Sequence, residues 1–223
     1  MSVEPYYQDE MVTLYHGDCR ELTGWLEADV LVTDPPYGVA HLSGWTTRLW
    51  GDVAKYRHHI TGDDDTAVRD EILAAWGDRP ALVFGSWKRP RPPATRTLLI
   101  WDKGEASGMG DLSIPWKPSH EEIYVLGSGF TGARTGGVLR GYVPPRVSMG
   151  RTHPTEKPSG LLLRLVDKCP PGVVADPFAG SGSTLIAARE LGRRAIGVEL
   201  EERYCETIAR RLSQGVLNFG EPA

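Results

Sequence analysis

The chain has 223 residues, with 25 Lys and Arg against 29 Asp and Glu and a formal net charge of −4. That balance excludes a protein that coats nucleic acid by bulk electrostatics, so any nucleic-acid contact must come from local patches. With no apolar run long enough to cross a bilayer and no charged-then-apolar leader, a cytoplasmic location is expected. In chain order, hydrophobic patterning predicts strands near residues 11–16 and 28–33, a helix over 66–76, and strands near 80–85, 97–101 and 121–126. A helix over 159–168, a strand near 172–175, a helix over 183–191, a strand near 194–198 and a helix over 201–213 follow. Alternation of this kind implies an α/β fold: one mainly parallel, seven-stranded sheet with helices on both faces. At this length a single sheet can bury a sizeable core.

Two segments resist the pattern. Residues 38–64 hold Trp45, Arg48, Trp50, Lys55, Tyr56, Arg57, His58 and His59 with little periodicity. Residues 127–151 are rich in glycine and hold Arg134, Arg140, Arg146 and Arg151. A further basic patch runs from Lys88-Arg89-Pro90-Arg91 to Arg96. Such patches are as often a solvated face as a binding one. His58-His59 before Asp63-Asp64-Asp65 imitates a metal cluster, but loop residues and a helix start account for it, and no metal is expected. Cys19, Cys169 and Cys205 form no Cys-x-x-Cys pair, which supports neither a disulfide framework nor a zinc ribbon. Cys19 reads as a small buried side chain, since no base is paired with it by spacing.

Chemistry enters at Asp34-Pro35-Pro36-Tyr37, which ends the apolar run through Val30, Leu31 and Val32. Neither proline can donate to a sheet ladder and both fix φ, so the chain leaves the sheet at Asp34. In an open α/β sheet, ligands sit beyond the carboxyl ends of strands, which points this carboxylate at a site and away from the core.

A second loop, Asp176-Pro177-Phe178-Ala179-Gly180-Ser181-Gly182-Ser183-Thr184, follows the strand through Val173 and Val174 and opens a helix. Its glycines allow positive φ and close approach of backbone to a nucleotide-like ligand. It is neither a phosphate-cradling Gly-x-x-x-x-Gly-Lys loop nor Gly-x-Gly-x-x-Gly. The next strand ends on Glu199, an acid placed to accept hydrogen bonds from two ribose hydroxyls. Almost the whole chain separates Asp34 from this loop, which predicts that the two lie in different halves of the sheet.

With these loops and His153-Pro154-Thr155-Glu156-Lys157-Pro158, the chain resembles the S-adenosylmethionine-dependent DNA methyltransferases that modify exocyclic amino groups. Weaker matches are Gly17-Asp18-Cys19 and Trp101-Asp102-Lys103. The order, catalytic loop first and cofactor loop last, is similar to the permuted group called β. The resemblance implies a Rossmann-like methyltransferase fold in one domain over 1–223, with a variable insertion near 38–64 and a short target-recognition segment near 127–151.

It also implies roles. The catalytic loop would be Asp34, Pro35, Pro36 and Tyr37, with Tyr37 stacking a base flipped from the duplex. Asp18 and Cys19 would lie at the adenine end of the cofactor, and Glu199 at its ribose. Asp34, Asp176, Phe178, Ala179, Gly180, Ser181, Gly182 and Ser183 would line the rest, with Thr184 and Lys157 near the methionine carboxylate. DNA contacts would fall to Arg48, Lys55, Arg57, Arg134, Arg140 and Arg146. Double-stranded DNA is the implied partner, and a homodimer and a cognate restriction endonuclease are compatible ones. Asp at the first position of the tetrapeptide favours adenine N6 over cytosine N4. A DNA- or nucleotide-binding module without catalysis is the reading of a different class, and the presence of Asp34, Tyr37, Gly180 and Glu199 together argues against it.

Overall fold

The computed structural model describes residues 3–36, 65–104, 110–142 and 156–214. Its strands are β1 (Tyr7–Gln8), β2 (Val12–His16), β3 (Val30–Thr33), β4 (Ala81–Gly85) and β5 (Thr97–Asp102). Then come β6 (His120–Leu126), β7 (Val138–Leu139), β8 (Val174–Asp176) and β9 (Ala195–Glu199). The helices are α1 (Ala67–Trp76), α2 (Ser159–Asp167), α3 (Ser183–Glu190) and α4 (Glu202–Gln214). All seven expected strands and all four expected helices are present within two residues of their predicted bounds. The two-residue strands β1 and β7, one at each edge, bring the sheet to nine. A 3-10 turn over Thr23–Glu27 is a further addition.

The strand order is β1-β2-β9-β8-β3-β4-β6-β5-β7. The pairs β2–β9, β9–β8, β8–β3, β3–β4 and β5–β7 are parallel, while β1–β2, β4–β6 and β6–β5 are antiparallel. Every residue of β3, β4 and β8 is buried, as expected of central strands covered on both faces. One core layer joins the sheet to α2, α3 and α4 through Leu161, Leu165, Leu185, Ile208 and Leu212. The opposite layer joins it to α1 and the 3-10 turn through Ile72, Trp76 and Trp25, with the two indoles stacked at 5.9 Å.

Two features of this order place the site. From β3 the chain moves through α1 to β4 on one side, and from β8 it moves through α3 to β9 on the other. The sheet therefore has a switch point between β3 and β8, and a crevice opens there beyond their carboxyl ends. Asp34 and the glycine loop thus belong to the two halves of the sheet, as expected, yet face each other across that crevice, because parallel pairing joins strands regardless of their distance along the chain. Second, β6 runs against β4, so its first residues meet the last residues of β3, β4 and β5 at the same sheet edge.

Candidate active site

The two loops are joined at their roots. Thr33, the last residue of β3, donates its hydroxyl to Asp176 at the end of β8 over 2.7 Å. Asp176 is 2% exposed and also accepts the Phe178 amide at 3.1 Å and a Thr184 side-chain hydrogen bond. Burial pushes its carboxyl up to about 7, against the pull of those donors and with help from the nearby Asp34 charge.

Beyond Asp176 the glycines do what only glycines do cheaply. Gly180 and Gly182 have φ of 53° and 79°, the left-handed region. A Cβ on Gly182 would meet Ile208 of α4 at 2.9 Å, so the loop lies directly on that helix. The Ser181 carbonyl accepts from Arg211 at 2.6 Å, and the Ser181 and Ser183 hydroxyls are 3.1 Å apart. Ala179, Ser181, Ser183 and Thr184 are buried, and Phe178 packs partly buried against the second core layer.

Glu199 completes this side. Its Oε2 accepts the Gly180 amide at 2.7 Å and its Oε1 accepts the Glu201 amide at 2.8 Å. Burial raises its carboxyl above the ordinary range, and the two amides pull the other way. Each oxygen takes one of these N–H groups and has a second lone pair, so the carboxylate can still accept from a vicinal diol. The site residues therefore fit the ribose of S-adenosylmethionine. The Gly17 amide donates to the Glu199 carbonyl at 2.9 Å, which brings Asp18 to the same corner. Asp18 is held by Arg20 through Nε and Nη2, at 3.0 and 2.5 Å. Cys19 is buried, its carbonyl accepts the Trp25 indole N–H at 2.9 Å, and burial pushes its thiol up to about 12, which suits packing and not nucleophilic chemistry.

Across the crevice, Asp34 follows Thr33, with Pro35 buried behind it. Lys157, directly before the proline that precedes α2, reaches over the sheet edge and places Nζ 2.6 Å from Asp34 Oδ2. The same ammonium is 3.1 Å from Glu121 Oε2 and 4.9 Å from the Phe84 ring centre. Glu121 in turn is paired with Lys103 at the end of β5. Burial works to raise the Glu121 carboxyl, but Lys157 and then Lys103 overturn it and hold the group at about 2. Burial likewise opposes the Lys157 charge, and Asp34 and Glu121 overcome it, raising the ammonium above its usual value. Glu156 meets Arg211 at 3.3 Å, which ties this segment to α4 and the glycine loop.

The crevice thus gathers Asp34, Lys157, Asp176, the glycine loop, Glu199 and Asp18. Glu121 and Lys103 belong to the same charge group and were not singled out as site residues from the sequence. The local signals were the weak Trp101-Asp102-Lys103 match for Lys103 and, for Glu121, two acids near the start of the otherwise apolar run of β6. Arg134 is exposed, and Arg140 is exposed with its Nε 3.3 Å from Asp102. Tyr37, Arg48, Lys55, Arg57 and Arg146 lie outside the described residues. Among the described residues there is no cluster of His, Cys, Asp and Glu that could hold a metal, and no helix is long and apolar enough to cross a membrane.

Comparison with known proteins agrees with this geometry. The profile of the DNA methylase family matches residues 96–210. The type II methyltransferase M.ScaI of Streptomyces caespitosus is 43% identical over 261 aligned residues, covering 94% of this chain and 84% of that protein. The M1.HpyAVI–SAM complex shares the fold at a TM-score of 0.63 and 20% identity, covering 91% of this chain and 99% of that one. The cytosine-N4-specific PvuII DNA methyltransferase does so at 0.62 and 14%, covering 98% of this chain and 90% of that one. With the family profile over half its length and a 43%-identical methyltransferase aligned along 94% of it, the chain belongs to the N6/N4 DNA methylase family, enzymes that move a methyl group from S-adenosylmethionine to DNA.

Proposed function

We propose that the protein methylates the exocyclic N6 amine of adenine in a flipped-out base of a short, specific DNA site, as the modifying partner of a restriction system. The observation that carries this reading is the placement of Asp34 beside the glycine loop at the switch point, with their strands joined by the Thr33–Asp176 hydrogen bond of 2.7 Å. The type II naming of the M.ScaI relative supports the restriction–modification role.

Bound S-adenosylmethionine supplies an electrophilic methyl group whose C–S bonding pair stays on sulfur. Glu199 holds the ribose hydroxyls, Asp18 stands at the adenine end, and the glycine loop approaches the methionine part with its backbone. Asp34 and the Pro35 carbonyl accept hydrogen bonds from the amino group, drawing its nitrogen toward tetrahedral geometry so that the lone pair is free to form the N–C bond. The proton displaced from that nitrogen passes to the Asp34 carboxylate and on to water. Tyr37 stacks the base. The protein's remaining task is alignment.

Duplex DNA would lie across the carboxyl edge of the sheet. Exposed Trp87 and Lys88 follow β4 there, and the β5–β6 connection adds exposed Trp116 and half-buried Lys117. Aromatic and cationic side chains side by side suit a distorted strand. Arg134, Arg140 and Arg146, with Arg48, Lys55 and Arg57 from the first irregular segment, would contact phosphates.

The decisive experiment incubates the protein with tritiated S-adenosylmethionine and unmethylated DNA, then separates the labelled nucleosides. N6-methyldeoxyadenosine is expected. Label in N4-methyldeoxycytidine would establish the second reading, to which the fold shared with the PvuII enzyme lends support. Unlabelled DNA would sink both.

A further inference from the structure

Four charged side chains from four separate segments alternate in sign along the catalytic side of the crevice: Asp34, Lys157, Glu121 and Lys103. Their side chains are only 23%, 7%, 16% and 21% exposed, so each charge depends on its neighbours more than on water. Lys157 is bound on both sides by carboxylates at 2.6 and 3.1 Å and faces Phe84 besides. The oxygen of Asp34 that it meets is Oδ2.

We propose that Glu121 is a positioning residue for methyl transfer: it holds the Lys157 ammonium against Asp34, so that Lys157 serves the catalytic carboxylate and not the cofactor. This rests on the methyltransferase reading given above. An ammonium beside Asp34 keeps it ionised and fixes its rotamer, but an ammonium without a counter-charge would also make Asp34 a poor acceptor for the amine proton. Glu121 offsets that excess, and Lys103 keeps Glu121 itself ionised. The quartet is neutral as a whole, which a buried group of charges requires. Among the described residues Asp176 also bears on Asp34, from the end of β8 across the crevice. The register places Glu121 at this edge of the sheet, because Phe84 and Gly85 of β4 pair with Ile123 and Glu122 of β6, leaving Glu121 just past the end of β4.

The test measures kcat against pH, together with the calorimetric cofactor dissociation constant, for wild type, Glu121→Gln, Lys157→Met and Lys157→Arg. The two charge-removing variants should move the acid limb in opposite directions. Lys157→Met strips the cation from Asp34 and shifts the limb up by about 1–3 pH units. Glu121→Gln leaves the cation in excess, shifts the limb down, and lowers kcat at least about tenfold at its plateau. Lys157→Arg keeps the charge and holds the limb near wild type. Cofactor affinity should change less than about threefold in Glu121→Gln, a margin well under one lost hydrogen bond to charge. An unmoved pH profile in Glu121→Gln would overturn the proposal, and so would a loss of activity matched by loss of cofactor affinity, which would put Lys157 at the cofactor. Methylated product from the wild type keeps this outcome separate from failure of the methyltransferase reading. Circular dichroism checks that each variant is folded, and the Lys157→Arg profile decides the question if Lys157→Met is not.

Discussion

Glu199 and Asp176, on the glycine-loop side of the crevice, are held by neutral donors, whereas Asp34 and Glu121, on the other side, are held by ammonium groups. The two arrangements push protonation apart. Asp176 is raised to about 7 and Glu121 is held at about 2. A carboxyl held by amides and hydroxyls responds to whatever charge is brought beside it. One locked between two cations does not. On the function proposed above, the first side receives a ligand and the second keeps a fixed charge in place while a reaction occurs.

Mutation should separate these tasks. Asp34→Ala should lower methyl transfer by about 10²–10³-fold or more, the scale of losing a preorganised group at a developing charge. Cofactor binding by calorimetry should change far less. Near-normal turnover in a tritiated-methyl assay would erase the division between the sides.

The pH dependence of stability probes the neutral-donor side. Asp176 has a folded value near 7 against an ordinary 3.8, so the folded protein keeps a proton that the unfolded chain releases. Its contribution is full below about pH 4 and is lost as pH rises through 7. Urea unfolding should show wild type losing about 2–4 kcal/mol between pH 4.5 and 7.5 relative to Asp176→Asn. Parallel curves for the two proteins would mean that Asp176 is ionised when folded.

Glu199→Ala should weaken S-adenosylmethionine binding by about 1–3 kcal/mol through lost hydrogen bonds to a charged acceptor. It should also lower the melting temperature, because the Gly180 and Glu201 amides lose their partner. An unchanged dissociation constant would make Glu199 a structural brace only. The smallest effect is expected at the exposed cations: Arg134→Ala and Arg140→Ala should each reduce the salt slope of DNA binding by about one unit. An unaltered slope would move phosphate contact to other residues.

The two loops that face the crevice were legible because their signals are local. Asp34 with two prolines and Asp176 through Thr184 each announce a strand end within a few residues, and Glu199 ends the following strand. Glu121 was not legible, since its importance depends on Lys103, Lys157 and Asp34, which are brought together by a reversed strand that no short window reveals. The same limit hid the neighbourhood of β3 and β8, and the placing of Lys157 beside Asp34. The missed 3-10 turn is anchored by one residue, Trp25, whose indole stacks on Trp76 some fifty positions away. The edge strands β1 and β7 are two residues each, too short to leave a pattern.

The hydrogen bond from Thr33 to Asp176 spans 143 positions, and that interval is also a delay. On a ribosome adding about 5–20 residues per second, β3 emerges roughly 7–30 seconds before the strand that will flank it on that side. Through that interval one side of Val30, Leu31 and Val32, all fully buried in the finished sheet, has no neighbour. A nascent chain in this state carries an open, apolar strand edge at what will become its centre, the kind of edge that pairs with other chains. Expression at lower temperature or with a holdase should therefore raise the soluble yield more than any stabilising surface change. Premature stops between β4 and β8 should yield aggregates, not partly active fragments.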